Sequence, residues 1–552
     1  MKTQDSDTWV RRTFNLQSRY TRVLLVGDPG AKTDHVIAAV PDLNATGAAR
    51  PGKRYAIAQR FATLQDAADA ARGGDLVAVL PGHYAGFVLG DKPDARDGRY
   101  IHFKALGPPQ EVVIDRPSRE ARWSVLLDAA HHVILEGFNV AGTSGPGLEP
   151  TGTTAGFMFD GFFRRTSKQV HHAVLMGVFS HNHRTWGFHS RDTHTVLIQD
   201  SVFALSCQEH SAYVSDGSDN YVIRRNIFYG SYAGGLQINL DPESSLDELL
   251  VHPAFKQYPR PGTTRAWALG LVDLARRQYG EDNFPDGRGV NFIVENNVMN
   301  ANGKRGGGSL NLAGLQDSLI QNNLIYSNFN HGIALWDNGN PYDAASATPG
   351  PASAADVKGP ESLPFWGCYR NVIRNNTVLM ANPGRFALLL SNGSWGNLVR
   401  NNVLINDEPS SVEVTATSIY KLDSGYNVLN AIQYSGVSAH SRRFVVQPGT
   451  SSASPFEGSG MDASLKTLAV RLDEANHSVT GITRAKSARE FVRYGEEPWI
   501  IIEGGRWRLN PARPDFHVSA SSGMLRGTAD RRNSPPRNVA GERRDGGTIG
   551  AY

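Results

Sequence analysis

Residues 321–338 read QNNLIYSNFNHGIALWDN, and this stretch decides the fold because it recurs along the chain. Paired asparagines precede a short apolar segment, a polar gap follows, and His-Gly opens a second apolar segment. The same pattern aligns on seven anchor positions, namely Gly177, Ser201, Asn226, Asn297, Asn323, Asn376 and Asn402. Four of the six intervals between these anchors measure 24 to 26 residues. The chain therefore has an internal repeat of about 25 residues.

A repeat of this length, built from short apolar strands and turns without a helix in each unit, is typical of a parallel β-helix. Neighbouring coils of such a solenoid stack at about 4.8 Å. An asparagine at one fixed turn of every coil can donate to one neighbour and accept from the other, which satisfies groups that would otherwise be buried unpaired. We therefore predict an all-β fold with a structural ladder formed by Asn226, Asn297, Asn323, Asn376 and Asn402.

The two long intervals, of 71 and 53 residues, contain sequence that does not fit the repeat. Residues 242–288 include the helix-like TRAWALGLVDLARRQYG, and residues 341–367 are rich in Ala, Pro and Gly. The first insertion begins 16 residues after Asn226 and the second 18 residues after Asn323, so both leave the coil near the same turn. Long loops in a compact fold are often functional, and we expect these two to wall a groove whose floor is formed by the coils anchored at 201–323.

The segment FATLQDAADAARGGDLVAVLPGHYAG at 61–86 predicts a helix followed by a first strand. Thr63 is suited to cap the helix, with Asp66 three residues later, and Gly73 and Gly74 are suited to end it. Such a helix can cover the N-terminal mouth of the solenoid and protect its edge from pairing with another chain. We therefore predict an N-terminal capping helix.

We divide the chain into three parts. Residues 1–54 form an N-terminal extension, residues 55–435 the β-helix with its two insertions, and residues 436–552 the C-terminal strands, cap and tail. In the last part, PWIIIEGGRWRLN predicts a strand pair. The Arg-rich RGTADRRNSPPRNVAGERRDGG predicts a loop or tail.

The composition is that of an ordinary globular protein, with 40% hydrophobic and 20% charged residues. A net charge of +3 gives no indication of nucleic-acid binding. Cys207 and Cys368 are too few for a disulfide framework or a zinc site. The sequence has no apolar run of the roughly 20 residues needed for a membrane span, and its first residues do not look like a signal peptide.

The quoted segments resemble the right-handed parallel β-helix superfamily of pectate-lyase-like proteins. FATLQDAADAARGGDLVAVLPGHYAG is similar to its N-terminal cap and first coil, and EHSAYVSDGSDNYVIRRN and NHGIALWDN are similar to its coil repeats. The ending GGTIGAY is similar to a common C-terminal ending of the group. The resemblance spans most of residues 55–435 and implies a right-handed solenoid.

The superfamily that the chain resembles includes polysaccharide lyases, glycoside hydrolases, uronate epimerases and non-catalytic proteins, and the resemblance to its lyases implies an acidic polysaccharide as substrate and calcium as a cofactor. Oxygen ligands from protein and uronate would hold such an ion, although the sequence has no evident ligand motif. A secreted or periplasmic location is implied as well, with the leader absent from this sequence. A cytoplasmic location stays open.

The repeat register brings a set of polar residues to the expected groove. His210 lies nine residues after its anchor and His331 eight after its own, while Lys304 and Arg305 follow Asn297 by seven and eight residues. We therefore expect Lys304 and Arg305 to neighbour His331 on the next coil. The candidate catalytic residues are His210, Lys304, Arg305, His331 and Tyr213.

Further polar residues share this register. Asp216 and Asp337 each follow the corresponding histidine by six residues, and Asp241 lies near the same rim on the coil between. Turn chemistry also favours aspartate at strand ends, so a purely structural role is the alternative for each. The expected substrate-binding residues are Asp216, Gln237, Asn239, Asp241, Asn311, Trp336 and Asp337.

Cleavage of a uronate-containing glycan by β-elimination needs a group that neutralises the carboxylate, a base for the C5 proton and an acid for the leaving oxygen. A cluster of His, Lys, Arg and Tyr suits these roles, so we expect a lyase. Arg305 then binds the carboxylate, His210 or Lys304 takes the proton, and Tyr213 or His331 protonates the leaving group.

Three alternatives stay open. A glycoside hydrolase needs two carboxylates, about 5 Å apart for retention and about 6.5–9.5 Å apart for inversion. Asp216 with Asp241, or Asp241 with Asp337, could supply such a pair. A uronate epimerase would abstract the same proton as the lyase. A non-catalytic carbohydrate-binding β-helix would need no cationic cluster between two long loops.

Overall fold

The protein folds as a solenoid in which three long sheets run the length of the molecule. The sheets, numbered below as first, second and third, contain 14, 11 and 12 strands, and almost all of their strand pairs are parallel. The structure is a computed structural model that describes residues 5–28, 33–44, 51–143, 153–161, 168–259, 264–280, 284–337, 342, 364–381, 384–408, 410–415, 418–435, 442–444, 471–472, 478–479, 481–540, 542–544 and 547–552.

Each coil contributes one strand to each sheet, in the order first, second and third along the chain. The first sheet contains Gln59–Phe61, Val23–Val26, Leu76–Val79, Ile101–Ala105, His131–Glu136, Val170–Met176, Thr193–Gln199, Asp219–Arg224, Ile293–Glu295, Leu319–Gln321, Val372–Arg374, Leu398–Arg400, Asp423–Gly425 and Arg471–Leu472. The second sheet contains Gly82–Ala85, Val112–Arg116, Asn139–Ala141, Phe179–His181, Val202–Ala204, Ile227–Tyr229, Val298–Asn300, Leu324–Tyr326, Thr377–Leu379, Val403–Ile405 and Val428–Leu429. The third sheet contains Phe87–Gly90, Trp123–Asp128, Ala155–Asp160, Trp186–Arg191, Ala212–Ser215, Leu236–Asn239, Gly308–Ala313, His331–Trp336, Leu388–Leu390, Val412–Thr415, Ile432–Ser435 and the antiparallel Arg442–Phe444.

Shorter elements surround the solenoid. Four two-stranded sheets pair His35–Ala38 with Lys53–Ala56, Gly289–Val290 with Leu315–Gln316, Phe491–Arg493 with Asp515–Val518, and Ile500–Glu503 with Arg506–Leu509. The described α-helices are Ser6–Thr13, Leu64–Ala70, Pro242–Val251, Arg265–Tyr279 and Arg484–Ser487. The described 3-10 helices are Pro253–Phe255, Ala488–Glu490 and Arg531–Asn533.

Rows of apolar side chains fill the inside of the solenoid. On the first sheet, Leu135, Leu175, Ile198, Ile223 and Val294 occupy one register position on successive strands, and each is at most 1% exposed. Full burial of such a side chain contributes about 1.5–3 kcal/mol. Because side chains alternate along a strand, the neighbouring positions face outward and are free to carry polar groups.

The asparagine ladder is confirmed. Asn297 donates its backbone N–H and its side-chain amide to Asn323 Oδ1 over 3.1 and 3.0 Å, and Asn323 donates in the same way to Asn376 Oδ1 over 3.0 Å. Asn323 Nδ2 also donates to the Val294 carbonyl at 2.9 Å. The ladder contains Asn226, Asn297, Asn323, Asn376, Asn402 and Asn427. The repeated asparagine therefore satisfies buried turn groups from coil to coil.

The N-terminal capping helix is confirmed as well. The helix Leu64–Ala70 begins after Thr63, whose Oγ1 accepts a hydrogen bond from the Asp66 N–H at 3.1 Å. Its buried face packs into the same apolar cluster as the inside of the first coils. The strand Leu76–Val79 follows, as the sequence predicts.

The N-terminal segment packs against the outside of the first sheet. Its strand Val23–Val26 pairs directly with the first strand of the first coil, so this sheet begins before residue 55. Farther along, the Arg224 guanidinium is 1% exposed and donates to Asp7 Oδ1 at 2.8 Å and to the Leu43 carbonyl at 2.7 Å. The three-part division of the chain stays a prediction.

Both insertions leave the third sheet at the C-terminal ends of its strands. The first contains the helices Pro242–Val251 and Arg265–Tyr279, and the second of these confirms the helix-like segment. Tyr342 and Trp366 of the second insertion pack in one apolar cluster with these helices. Residues 341 and 343–363 of the second insertion lie outside the described part of the chain. The described parts of the two insertions therefore form one wall at one rim of the third sheet.

The C-terminal part contains the predicted strand pair, Ile500–Glu503 with Arg506–Leu509. The Arg-rich segment that follows has one 3-10 turn, Arg531–Asn533, and no strand among its described residues. Within the described ranges, no helix has both the length and the apolar character needed to cross a membrane.

Candidate active site

Two rows of side chains run across the outer face of the third sheet. The first row consists of His189, Tyr213, Gln237 and Asn311, and the second row consists of Arg191, Ser215 and Asn239. They alternate with Val214 and Ile238, which are fully buried inside the solenoid. This face is therefore polar and aromatic over successive coils, which suits the binding of a sugar chain.

Tyr213 lies at the centre of this face. Its ring stacks flat against His189, with centroids 5.1 Å apart and an interplanar angle of 7°. The ring of His210 lies 5.9 Å away, and Asn239 Nδ2 donates to the Tyr213 hydroxyl at 3.1 Å. Burial raises the pKa of Tyr213 to about 12, although the hydrogen bond from Asn239 acts in the opposite direction. The phenol therefore carries its proton at neutral pH and is suited to act as an acid.

Three of the expected substrate-binding residues form a hydrogen-bonded row. Trp336 Nε1 donates to Asn311 Oδ1 at 3.0 Å, and the Asn311 side-chain amide donates to Gln237 Oε1. The row crosses three successive coils. Each side chain fixes the orientation of the next, so the face is ordered before any ligand binds.

Acidic side chains gather where the strands of the third sheet end. Asp192 and Asp216 occupy equivalent turns of successive coils, while Asp241 and Glu248 belong to the start of the first insertion. Burial, followed by the charge of Asp241, raises the pKa of Asp216 to about 7. Burial, followed by the charges of Asp216 and Glu248, raises the pKa of Asp192 well above its usual range. This end of the face therefore holds an excess of negative charge.

Arg191 lies at the same end and has a carboxylate partner. Its Nε and Nη2 donate to Asp160 Oδ1 and Oδ2 at 2.8 and 3.2 Å. Burial opposes the charge of Arg191, but Asp160 and the nearby aspartates keep its pKa above the ordinary value. The cation offsets part of the surrounding negative charge and is already engaged by protein groups.

Two of the expected substrate-binding aspartates have structural partners. Asp241 Oδ1 accepts hydrogen bonds from the N–H groups of Glu243 and Ser244 at 3.0 and 3.3 Å, which caps the helix Pro242–Val251. Asp337 is 3% exposed and lies near the Cys368 thiol. Burial of this thiol, together with the charge of Asp337, raises the pKa of Cys368 to about 12.

His210 and Arg305 lie at the opposite end of the strands. His210 Nδ1 accepts a hydrogen bond from the Gly234 N–H at 2.9 Å, and burial lowers the pKa of this histidine to about 4. The ring is therefore neutral with its proton on Nε2, so it is a donor and not a base. Arg305 Nη1 donates to the Gln208 carbonyl at 3.4 Å, and its charge acts against the burial that raises the pKa of Glu209.

Lys304 and Arg305 turn in different directions. Lys304 Nζ lies 5.4 Å from the ring centroid of Phe329, two residues before His331, whereas Arg305 turns back toward the coil that carries His210. His331 stacks on Phe386 with centroids 5.8 Å apart, and burial lowers its pKa to about 4. Lys304 is thus next to the segment that leads into His331, as expected from the register, while Arg305 contacts an earlier coil.

The predicted residues form two groups on one face. His210 precedes the strand Ala212–Ser215 and Asp216 follows it directly. Six residues of extended chain span about 20 Å, so the cationic and acidic groups lie at opposite ends of the strands. Tyr213 and Asn239 lie on the face between these ends.

Sequence reasoning missed Asp160, His189, Arg191, Asp192 and Glu248. A periodic signal existed for Asp192, which precedes Asp216 by 24 residues and thus by one repeat. Glu248 had no such signal because it lies in an insertion, where the register of the coils does not apply.

The acidic group does not form a ready calcium site. Ca²⁺ needs about six to eight oxygen ligands, and carboxylates such as those of Asp192, Asp216 and Asp241 are the donors it prefers. Among the described His, Cys, Asp and Glu residues, however, the one set of three or more whose ligand atoms lie within 4.8 Å of one another consists of histidines elsewhere. The donor chemistry fits calcium and the spacing does not, so no catalytic step is assigned to the ion.

Comparison with known proteins agrees with this architecture. Residues 281–430 match the family model described as a right handed beta helix region. The chain folds as a right-handed parallel β-helix. No curated protein matches the sequence.

Several solved structures are similar to the chain at low sequence identity. The pectate lyase Pel9A is 12% identical, with 97% of each chain covered and a TM-score of 0.47. A mannuronic acid specific polysaccharide family 6 lyase from human gut microbiota is 13% identical, covers 65% of this chain and 70% of its own, and has a TM-score of 0.40. The A-module of the Azotobacter vinelandii mannuronan C-5 epimerase AlgE6 is 15% identical, covers 65% of this chain and 92% of its own, and has a TM-score of 0.30. The function must therefore be argued from the site.

Proposed function

We propose that this protein is a polysaccharide lyase that cleaves an acidic, uronic-acid-containing polysaccharide by β-elimination on the outer face of the third sheet. One observation carries the proposal: a protonated phenol, Tyr213, lies on the polar and aromatic outer face of this sheet, beside a cationic rim. Its hydroxyl is held by Asn239, and Arg305 reaches back to the same coil through the Gln208 carbonyl. The cationic end of this face matches an anionic sugar chain in charge.

The cationic rim supports an acidic substrate. Lys304 and Arg305 are exposed side chains next to the polar face, and Arg305 is positioned to neutralise a uronate carboxylate. Neutralising that carboxylate makes the C5 proton easier to remove, because the negative charge that develops during proton removal is then stabilised. Gln237, Asn311 and Trp336 supply an ordered row of hydrogen-bonding and stacking groups for neighbouring sugars.

The roles of acid and base follow from protonation. Tyr213 carries its proton at neutral pH and gives it to the departing glycosidic oxygen. His210 is neutral with Nδ1 occupied by Gly234, so it donates from Nε2 and orients substrate. We assign Lys304, an exposed side chain at the cationic rim, as the group that takes the C5 proton, a role that requires its neutral amine because the ammonium form has no acceptor. A uronate epimerase would use the same first step and differ in reprotonating C5.

A second candidate function is glycoside hydrolysis at the acidic end of the face. The observation that favours it is the raised pKa of Asp216, about 7, beside the Asp241 carboxylate. Two carboxyl groups with separated pKa values are typical of glycosidases, in which one is the acid and the other the base or nucleophile. Asp241, however, already caps a helix through two backbone N–H groups.

The experiment is an incubation of the purified protein with a panel of acidic polysaccharides that includes alginate, pectate and glycosaminoglycans, with and without calcium. Elimination produces an unsaturated uronate that absorbs in the ultraviolet, together with one new reducing end per cleavage. Hydrolysis produces reducing ends without that absorbance. The lyase proposal predicts both the absorbance and the reducing ends. Reducing ends without the absorbance would contradict the lyase proposal and favour hydrolysis.

Matched variants assign the site. Tyr213→Phe and Arg305→Ala are expected to abolish most of the absorbance increase, while Tyr232→Phe, which changes a tyrosine that is 42% exposed, is the control and should retain it. Full absorbance in Tyr213→Phe would remove this phenol from the mechanism. An enzyme with such a substrate would act outside the cytoplasm, and we propose a secreted or periplasmic location.

A further inference from the structure

Two pairs of adjacent histidines lie on neighbouring strands of the first sheet, away from the polar face of the third sheet. His131 and His132 stand at the start of the strand His131–Glu136, and His171 and His172 stand at the start of the next strand. The register aligns His131 with His171. The four imidazoles therefore come together across two successive coils.

The ring nitrogens of this histidine cluster lie close to one another. The Nδ1 atoms of His131 and His132 are 2.9 Å apart, and so are the Nδ1 atoms of His171 and His172. The stacked rings have centroids 4.9 Å apart for His131 and His171, and 4.6 Å apart for His132 and His172. One ligand nitrogen each of His132, His171 and His172 lies within 4.8 Å of the others.

The remaining nitrogens of the first pair lie beside carboxylates. His131 Nε2 is 3.1 Å from Asp91 Oδ1, and His132 Nε2 is 3.4 Å from Asp97 Oδ1. A neutral imidazole has one N–H, and a nearby carboxylate favours that proton on the nitrogen that faces it. If both protons take these positions, the two Nδ1 lone pairs face each other across 2.9 Å and a shared cation would relieve the contact, whereas in the other tautomer one Nδ1 donates to the other.

The chemistry of this cluster suits a metal ion. The neutral imidazole is the form that binds metal ions. Metal-bound histidines commonly direct their other nitrogen to a carboxylate, which is the position of Asp91 and Asp97.

The backbone at the second histidine of each pair is also unusual. His132 and His172 have φ values of 54° and 51°, in the left-handed region that few residues other than glycine and asparagine adopt readily. Edge contacts from Tyr100 and Phe14 hold their rings in place. The surrounding structure therefore keeps these imidazoles in a fixed orientation.

We propose that His132, His171 and His172 form a binding site for a divalent transition-metal ion of the zinc type, with His131 as the adjacent fourth imidazole. Zinc–nitrogen bonds measure about 2.0–2.1 Å in a tetrahedral site, so two nitrogens bonded to one ion lie about 3.3 Å apart. Because the rings of His132 and His172 are stacked with an interplanar angle of 10°, at least one of them must rotate to bind the same ion. The bound ion clips two coils of the solenoid together.

The test uses the full-length protein after treatment with a chelator. Titration calorimetry with Zn²⁺ alone is expected to give one equivalent of tight binding. Electron paramagnetic resonance with one equivalent of Cu²⁺ is expected to show coupling to at least three ligand nitrogens. Absence of Zn²⁺ binding, or Cu²⁺ coupled to fewer than three nitrogens, would overturn the proposal.

The variant His132→Asn removes one imidazole and keeps a residue that tolerates positive φ. It is expected to weaken Zn²⁺ binding at least tenfold, and His171→Gln is expected to do the same. The control is His83→Asn, which changes an exposed histidine beside Asp115 and should leave the titration unchanged. If circular dichroism shows that one of the two cluster variants is unfolded, the other variant and the Cu²⁺ spectrum of the unaltered protein test the metal site. Undiminished binding in a folded cluster variant would contradict the site.

Discussion

The side-chain amide of Asn239 donates a hydrogen bond of 3.1 Å to the hydroxyl of Tyr213, on the neighbouring coil. This contact fixes the phenol oxygen on the outer face of the third sheet. It also favours the ionised phenol, in opposition to the burial that raises the pKa of Tyr213 to about 12. The pair is therefore suited to give up a proton to a leaving group and then recover it.

Replacing Asn239 tests this relationship without removing the phenol. In Asn239→Ala we expect the pKa of Tyr213 to rise further, because the hydrogen bond that favours the ionised form is lost. Activity on the cleaved polysaccharide should fall by about tenfold or more. The measurement is the initial rate of ultraviolet absorbance as a function of pH. Asn330→Ala is the control, since Asn330 lies on a nearby turn and its side-chain oxygen accepts no hydrogen bond within the described residues.

The buried carboxyl of Asp216 makes stability depend on pH. Its pKa in the folded protein is raised to about 7 by burial and then by Asp241, whereas an unfolded aspartate titrates near about 3.9. Between these values the folded state binds more protons than the unfolded state, so this group makes stability fall as pH rises from about 4 to about 7. Asp216→Asn should flatten that part of a plot of melting temperature against pH.

The control for this measurement is Asp200→Asn, because Asp200 forms an ion pair with Arg225 next to the first sheet, away from the acidic group. It should keep the slope of the unaltered protein. An unchanged slope in Asp216→Asn would mean that Asp216 is ionised in the folded state at neutral pH, and the hydrolase reading would lose its acid.

The asparagine ladder should dominate the stability of the central coils. Asn323→Ala removes the oxygen that accepts from Asn297 and the amide that donates to the Val294 carbonyl. Each buried polar group left without a partner costs about 1–3 kcal/mol, so we expect a loss of about 2–5 kcal/mol in the free energy of unfolding. Denaturant unfolding measures it, with Asn330→Ala again as the control. A loss below about 1 kcal/mol would show that the turn recovers its hydrogen bonds by other means.

Arg224 should hold the N-terminal segment on the first sheet. In Arg224→Met the acceptors Asp7 and the Leu43 carbonyl lose a charged donor, and each such bond contributes about 1.5–3 kcal/mol. We expect limited proteolysis to cut within residues 5–44 much faster than in the unaltered protein. Arg225→Met is the matched control. Arg225 is the neighbouring arginine and pairs with Asp200 at the surface, where an ion pair contributes about 0–1 kcal/mol. Equal cleavage of the two variants would contradict the anchoring role.

Local and periodic features of the fold could be predicted from the sequence. Thr63 before Leu64–Ala70 follows from capping chemistry, and the helix Arg265–Tyr279 begins after Thr264 and ends at Gly280 for the same kind of reason. The repeat also predicts which coils are neighbours.

The repeat does not predict the end of a strand at which a side chain lies, or the direction in which a loop turns. Asp216 and His210 share a coil but lie at opposite ends of its third-sheet strand. Arg305 turns back to Gln208 while the adjacent Lys304 lies over Phe329. These directions depend on packing between coils, and the sequence of a single repeat does not predict that packing.

The histidine cluster was not recognised in the sequence for a related reason. HH at 131–132 and HH at 171–172 are 40 residues apart, which is not the repeat of about 25 residues. The register of two neighbouring strands is needed to bring them together.

The central claim, that the glycosidic bond is broken by elimination, is tested most directly by mass spectrometry of the products formed in water enriched in heavy oxygen. Elimination adds no water across the bond, so its new unsaturated end carries no heavy oxygen from the solvent, and the sum of the fragment masses equals the mass of the substrate. Hydrolysis adds one water and incorporates one heavy oxygen per cleavage. We predict one unsaturated fragment per cleavage, one water lighter than its saturated form, whereas saturated fragments alone would contradict the account and assign the chemistry to the carboxylates around Asp216.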